Sequence, residues 1–368
     1  MRIAKRLLEY VLAAVFLFSG LVKLNDPIGT KIKLEEYFDV FSQDFPAMEG
    51  FWLGLIPFSL AFSILLSAWE VIIAAALITE FKNKFTLKFT LGLLVFFGFL
   101  TFYSAYYDKV TDCGCFGEAI KLSPWTSFIK DVILLGLTFL ALLIKAPQAK
   151  SGAGFWVFGT SILSVLFGIL SYLYLPPWDS LPYAMNQNIE VNMQLRETLK
   201  FEYIYEIEGK TVKLDTIPYH KSAKFISMAA VNENKAKALI TDYRLWDDES
   251  QIDYTKESFL GQKFFILIPD LEHCDKKELE VLFKSIPEIQ KLYLDIWVIS
   301  GSPVKRVKEY LDSKEIDLPI LSADTKVLKT MVRSNPGFML LKNGTVLGKW
   351  SGFSPPTSEN IVEKLNND

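Results

Sequence analysis

Two cysteines separated by one residue, Cys113-Gly114-Cys115, are the side chains of this 368-residue chain best matched by type and spacing to chemistry. A disulfide between residues two apart closes a very small ring. The intervening Gly relaxes backbone limits that would otherwise forbid it, and strain makes such a bond easy to reduce. Labile disulfides are the catalytic or regulatory ones. Two blander roles use the same residues: a static clip of the loop, or half of a zinc site, although no further Cys or His lies nearby to complete four ligands. No metal site is expected. The third cysteine, Cys274, stands alone in Leu271-Glu272-His273-Cys274-Asp275-Lys276-Lys277-Glu278, where a helix is expected to begin. The helix dipole and first-turn donors favour thiolate there, with His273, Lys276 and Lys277 close by, so mixed disulfides are open to it. The contrary reading is an idle surface thiol. His273 reads as a solvated neighbour of the helix start, and His220 is assigned nothing.

The elements that position these residues follow from an uneven distribution of charge. Residues 1–176 hold 14 Lys+Arg and 13 Asp+Glu, whereas residues 177–368 hold 25 and 29. Runs of about 20 apolar residues, the hydrocarbon thickness divided by the helical rise, occur near 7–24, 57–79, 85–107, 126–145 and 155–175. These predict five transmembrane helices. The first follows Arg2, Lys5 and Arg6 like a signal peptide, but no small-x-small cleavage pattern ends it and further spans follow. So apolar a first half excludes a single soluble enzyme, and a net charge of -3 argues against a nucleic-acid binder.

Orientation follows from Lys and Arg. The amino terminus, the turn with Lys82, Lys84 and Lys88, and the link with Lys145 and Lys150 share one face, expected to be cytoplasmic. The acidic loops 25–56 and 108–125 then face outward, as does everything beyond the fifth span. All three cysteines share that outer compartment, which permits disulfides. The expected setting is a bacterial inner membrane with the carboxyl-terminal part in the periplasm. Lys23, toward the outer end of the first span, and Glu70, in the middle of the second, place charge in the apolar region, where it needs a partner or a role. Lys23 could snorkel to the interface or pair with Glu70.

Beyond the fifth span, Phe201–Ile207 and Thr211–Leu214 alternate about a Glu208-Gly209-Lys210 turn and predict a hairpin. The later pattern is regular: strand 263–268, helix 274–291, strand 293–300, helix 303–313, a short strand near 319–322, helix 324–333, strands 337–342 and 345–350 about Asn343-Gly344, and a last helix near 357–366.

Three segments, Phe18-Ser19-Gly20-Leu21-Val22-Lys23-Leu24, Glu70 within its span, and Asp112-Cys113-Gly114-Cys115-Phe116-Gly117, resemble the DoxX-like membrane proteins and in particular their MauE branch, over about residues 1–146. This resemblance implies a four-helix membrane unit with a part in periplasmic disulfide formation or in maturing an exported partner. By analogy with membrane proteins that pass electrons between thiols and quinone, it brings quinone as the candidate cofactor. A second resemblance, to the thioredoxin-like superfamily and its peroxiredoxin-related branch, covers about residues 240–368. It rests on Asp242–Asp248, Gly261-Gln262-Lys263, Asn335-Pro336-Gly337 and a β-α-β-α-β-β-α order. It implies a cis peptide before Pro336 facing the active-site cysteines. The family's dithiol would fall at Leu271–Glu278. There only Cys274 is a cysteine; Lys277 or Leu271 occupies the other position.

The expected fold is therefore a multi-domain membrane protein. An all-α transmembrane bundle, a four-helix DoxX/MauE-like unit (1–146) plus a fifth span (147–176), precedes a linker with a small β appendage (177–240) and an α/β thioredoxin-like domain (241–368). Two functions stay open. In one, the chain is a thiol-disulfide oxidoreductase whose Cys113 and Cys115 cycle, exchanging with Cys274 or with an exported or thioredoxin-like partner. In the other, it is a non-catalytic, membrane-anchored platform for assembling such a partner. The first needs Cys274 exposed; its burial favours the second. Small-molecule transport past Lys23 and Glu70 is a third, weaker reading, because no broken-helix pattern accompanies them.

Overall fold

The computed structural model describes residues 2–110, 114, 117, 122–145, 151–207, 210–219 and 223–366. Cys113, Cys115 and His220 lie outside the described residues. The chain divides into two compact units, Met1–Leu181 with Trp350–Ser354, and Pro182–Lys349 with Pro355–Asp368.

Five helical stretches of the first unit are long and apolar enough to cross a membrane: Ile3–Asn25, Pro46–Ile78, Asn83–Tyr107, Pro124–Leu143 and Ala153–Tyr174. They correspond to the five expected spans. The elements are α1 (Arg2–Asn25), α2 (Pro27–Asp44), α3 (Glu49–Leu55), α4 (Ser59–Ile78), α5 (Asn83–Tyr107), α6 (Pro124–Leu143) and α7 (Ala153–Tyr174). Inward stripes of α1, α4, α5 and α6, including Leu12, Phe16, Leu77, Leu94 and Leu134, form one core cluster, with smaller clusters around Tyr37 and Phe41 and around Leu24 and Ile64. Outward residues such as Phe85, Phe155, Trp156 and Leu163 remain exposed, as lipid-facing side chains of a multi-pass membrane protein are.

The outer loop expected over 25–56 is largely helix. Asp26 caps α2 by accepting from the Gly29 N–H at 2.8 Å, and Pro27 occupies the first turn, where its missing N–H costs nothing. Leu34, Tyr37 and Phe41, spaced three and four apart, are buried, and the latter two join an aromatic cluster with Tyr103 and Trp52. Lys31, Lys33, Glu35 and Glu36 crowd the same stretch and hide that periodicity from a reading by hydropathy.

Gly20 sets how closely α1 and α4 approach. A Cβ there would lie 2.7 Å from Val71 Cγ2 and 2.8 Å from the Ser67 carbonyl oxygen. Small residues allow such contacts between spans, where dispersion has to replace the hydrophobic effect.

In the second unit, α8 (Ile189–Asn192) precedes a three-stranded sheet of β1 (Phe201–Ile207), β2 (Lys210–Leu214) and β3 (Lys224–Ala230) in the order β2-β1-β3. The third strand is additional to the expected hairpin. After α9 (Glu233–Ala236) come β4 (Gln262–Ile268), α10 (Lys276–Gln290), β5 (Asp295–Ser300), α11 (Val304–Asp312), β6 (Ile320–Ser322), α12 (Thr325–Met331), β7 (Gly337–Lys342), β8 (Thr345–Ser351) and α13 (Ser358–Asn366). The sheet order is β6-β5-β4-β7-β8. Central β4 pairs in parallel with β5 and antiparallel with β7. Phe264 through Ile268 are fully buried, which is why that strand reads as an unbroken apolar run.

Gly20→Val should force α1 and α4 apart and lower the thermal midpoint in detergent by several degrees, since overpacking costs about 1–3 kcal/mol. Gly92→Val, at a position where a Cβ meets nothing within 4 Å, should leave the midpoint unchanged in the same scan.

Candidate functional site

Helices α1, α2, α4, α5 and α6 surround a cavity with about 760 Å3 of empty space, its mouth included. Its walls are mainly apolar, among them Phe16, Leu94, Phe97 and Leu134, but several charged and hydroxyl side chains converge on it. Lys23 and Glu70, only 6% and 2% exposed, form a hydrogen-bonded ion pair through Nζ and Oε1. The Lys23 ammonium also lies 5.0 Å from the centre of the Phe97 ring. Gly20, one turn before Lys23 on α1, draws the backbones of α1 and α4 together at Glu70 itself, whose Cβ would lie 3.0 Å from a Cβ at Gly20. Neither charge would be tolerated in this interior without the other.

Two buried polar atoms of the cavity lining, Glu70 Oε2 and Thr30 Oγ1, have no hydrogen-bond partner among the described residues. Buried polar atoms are ordinarily satisfied, and the same condition recurs away from the cavity at Trp52, Ser59, Asn83, Ser171, Tyr183 and Tyr310. On its far wall, Asp131 of α6 is 2% exposed, accepts from Thr101 Oγ1 at 3.0 Å and pairs with Lys130 at 2.7 Å. Sequence reasoning missed Asp131 and Lys130. The signal was there, because Asp131 is an acidic residue inside the fourth apolar run, as Glu70 is inside the second.

The cysteine loop meets the same cavity through its described glycine. Gly114 lines it, with φ +63°, and a Cβ there would stand 3.1 Å from Lys33 Cγ on α2. Gly117, at φ +54°, donates its N–H to the Gly114 carbonyl at 3.0 Å and faces Val22 of α1. Both glycines of Cys-Gly-Cys-Phe-Gly thus have left-handed backbones that side chains disfavour.

A separate polar cluster braces the other end of the bundle. Lys5 pairs with Glu9 at 3.6 Å and donates to the Ile144 carbonyl at 3.1 Å, while Asn83 donates to Glu9 at 2.7 Å. Glu9 does not line the cavity.

In the second unit, the peptide between Asn335 and Pro336 is cis, as expected. Asn335 ties this turn to the Cys274 segment: its Nδ2 donates to the Asp270 carbonyl at 2.7 Å, and its carbonyl accepts from the Asp275 N–H at 3.3 Å. Cys274 is a free thiol just before the cap of α10, but it is buried. The expectation of a stabilised thiolate is corrected here. Burial, then the Asp275 carboxylate, push the thiol up to about 12, and Lys276 offsets only part of this. His273 projects into solvent, its Nδ1 2.8 Å from Asp270 Oδ2.

A family model described as methylamine utilisation protein MauE matches residues 1–144. The membrane part is thus similar to MauE. The MauE-like stretch takes in the first four spans, the Lys23–Glu70 pair and the Cys-Gly-Cys loop, and stops before α7. No curated protein matches the chain.

Lys23→Met, which strands the Glu70 carboxylate, should destabilise the bundle by about 3–5 kcal/mol, and adding Glu70→Leu should recover most of that loss. Unfolding in a denaturing detergent, compared across wild type, single and double variants, checks this. For Cys274, a rise from 9.0 to about 12 makes thiolate, and hence alkylation by iodoacetamide at pH 8, about a thousandfold scarcer in the native chain than after denaturation. The sign for stability follows: the unfolded chain ionises this thiol first. Its contribution is therefore complete below pH 9 and is lost as pH rises toward 12.

Proposed function

We propose that the chain is a membrane-bound thiol-disulfide redox component that supports disulfide formation in, or maturation of, exported proteins, with Cys113 and Cys115 as the thiols that cycle. The observation carrying this reading is that Gly114, the residue between them, lines the cavity that holds the Lys23–Glu70 pair. A dithiol converted to a disulfide gives up two electrons and two protons. Gly114 and Glu70 line the same cavity, whose walls include Phe16, Leu94 and Phe97. The similarity of residues 1–144 to MauE supports the same reading for the membrane part. The carboxyl-terminal part is taken to face the periplasm of a bacterial inner membrane, as the distribution of Lys and Arg favours.

We read residues 241–368 as thioredoxin-like. The β4-centred sheet, the cis Asn335–Pro336 bond and the hydrogen bonds joining Asn335 to Asp270 and Asp275 support this. Its role is proposed as that of a docking platform. Cys274 is buried, its thiol resists ionisation, and no second cysteine stands at the family's other position, so exchange through Cys274 is disfavoured. The same burial favours the alternative in which the whole chain is a non-catalytic anchor for an exported partner.

Acid quenching of cells followed by mass-tagging of free thiols separates these readings. Cys113 and Cys115 should appear as a mixture of dithiol and disulfide that shifts when respiration is inhibited, and Cys274→Ser should leave that distribution unchanged. A single permanent state of the pair under both conditions would overturn cycling and leave the anchor.

A further inference from the structure

We propose that β3 is the surface through which two copies of this chain associate, pairing antiparallel edge to edge so that two β2-β1-β3 sheets join into one. This pairing does not depend on the redox reading above. It rests on how the sheet edges of the second unit are finished.

An edge strand presents a row of N–H and C=O groups to any other strand, and folded proteins guard such rows. Three of the four edges here are guarded. β6 is only three residues long, and its Ser322 exchanges two backbone hydrogen bonds with Trp246, at 2.7 and 3.1 Å. β8 is covered at its start by residues 186–189: the Asn186 N–H donates to the Val346 carbonyl at 2.8 Å, the Val346 N–H to the Gln187 carbonyl at 3.0 Å, and the Ile189 N–H to the Gly344 carbonyl at 2.9 Å. β2 carries Lys210 and Lys213 within five residues, the charge that discourages edge pairing. β3 has none of these devices. It is seven residues long, its residues from Lys224 to Ala229 are all exposed, and among the described residues no strand pairs with its outer side. Phe225, Ile226, Met228 and the following Val231 are each at least half exposed. Its ladder with β1 shifts register at Ile204/Tyr205 and is regular from Ser227 to Ala230.

Charge selects the occupant. No charged residue lies between Lys224 and Glu233, and both of these are exposed. A second copy laid antiparallel, with Met228 facing Met228, sets Phe225 opposite the second copy's Val231 and Ile226 opposite its Ala230. Each Lys224 then falls beside the Asn232-Glu233 end of the other copy. A parallel arrangement would bring lysine to lysine and glutamate to glutamate, and like charges facing each other destabilise a sheet. The stretch is therefore complementary to itself in one direction, as an isologous two-fold contact requires. A foreign strand would have to bring the same apolar run with opposite charges at its ends; this chain already supplies it. One strand pair buries less than the roughly 1,200 Å2 of a stable interface between free proteins. The transmembrane spans offset that, because chains held in one bilayer meet at a high effective concentration.

Cysteine cross-linking of the full chain in membranes tests the pairing, with the wild type as control for the native cysteines. Met228→Cys should give a covalent dimer on mild oxidation, since directly opposed Cα atoms lie about 5 Å apart, within reach of a disulfide. Phe225→Cys alone should not, because two such positions lie about 20 Å apart, six residues of strand. Coexpressed with Val231→Cys, it should. Differently tagged wild-type chains should co-purify in mild detergent, and Met228→Lys, which sets two ammonium groups face to face, should lower the yield about tenfold without changing the thermal midpoint. Met228→Leu should co-purify as wild type does. The proposal is overturned if Met228→Cys forms no dimer, or if Phe225→Cys alone or Tyr293→Cys, exposed elsewhere in the unit, cross-links as readily. Co-purification of Met228→Lys at the wild-type level overturns it too, and moves the contact to the membrane helices. A Met228→Cys adduct with a different protein in place of the dimer gives the edge to a foreign strand and overturns the second copy.

Discussion

A single ion pair in an apolar interior organises the membrane unit. Lys23 and Glu70 are each too costly to bury alone, and their joint burial fixes the rotation of α1 against α4. Gly20 makes the pair geometrically available by removing the side chain that would hold the two backbones apart. Once α1 and α4 are locked, the faces carrying Phe16 and Ser67 are turned toward the same space, and α5 and α6 add Phe97, Thr101 and Asp131 around it. The cavity is a consequence of that packing: polar groups gathered in the interior leave space that apolar side chains do not fill.

Polar residues gather at two levels of the bundle. At one end, Lys5 pairs with Glu9 and donates to the Ile144 carbonyl while Asn83 donates to Glu9, a brace between α1, α5 and the end of α6. Some 20 Å along α1, by the rise of about 1.5 Å per residue, the second cluster leaves Glu70 Oε2 and Thr30 Oγ1 open.

In the second unit, packing decides the chemistry of Cys274. Its sheet, its cis proline and the Asn335 bonds to the Cys274 segment hold that segment in place. Yet the helix N-terminus that ordinarily activates a thiol is outweighed by burial and by Asp275. Local sequence promised a thiolate; desolvation, which depends on what packs over the sulfur, decided otherwise. The redox reading therefore rests on the membrane unit.

Much of this was legible in the chain itself, wherever the determining interaction is local or periodic. Five spans follow from apolar runs matched to bilayer thickness, β4 from the buried apolar run Phe264–Ile268, and the turn between β7 and β8 from Asn343-Gly344. Lys23 and Glu70 announced themselves because charge in an apolar run has to be accounted for. Helix α2 did not, since its buried stripe of Leu34, Tyr37 and Phe41 is interleaved with four charged residues. Asp131 and Lys130, inside the fourth apolar run, were overlooked. Only the tertiary structure could bring Thr30, Glu70, Asp131 and Gly114, distant in sequence, to one cavity, and only it could say which carboxylate oxygen is left open or how deeply Cys274 is covered. Hydropathy and turn chemistry are properties of neighbouring residues; hydrogen-bond satisfaction and desolvation are properties of everything packed around an atom.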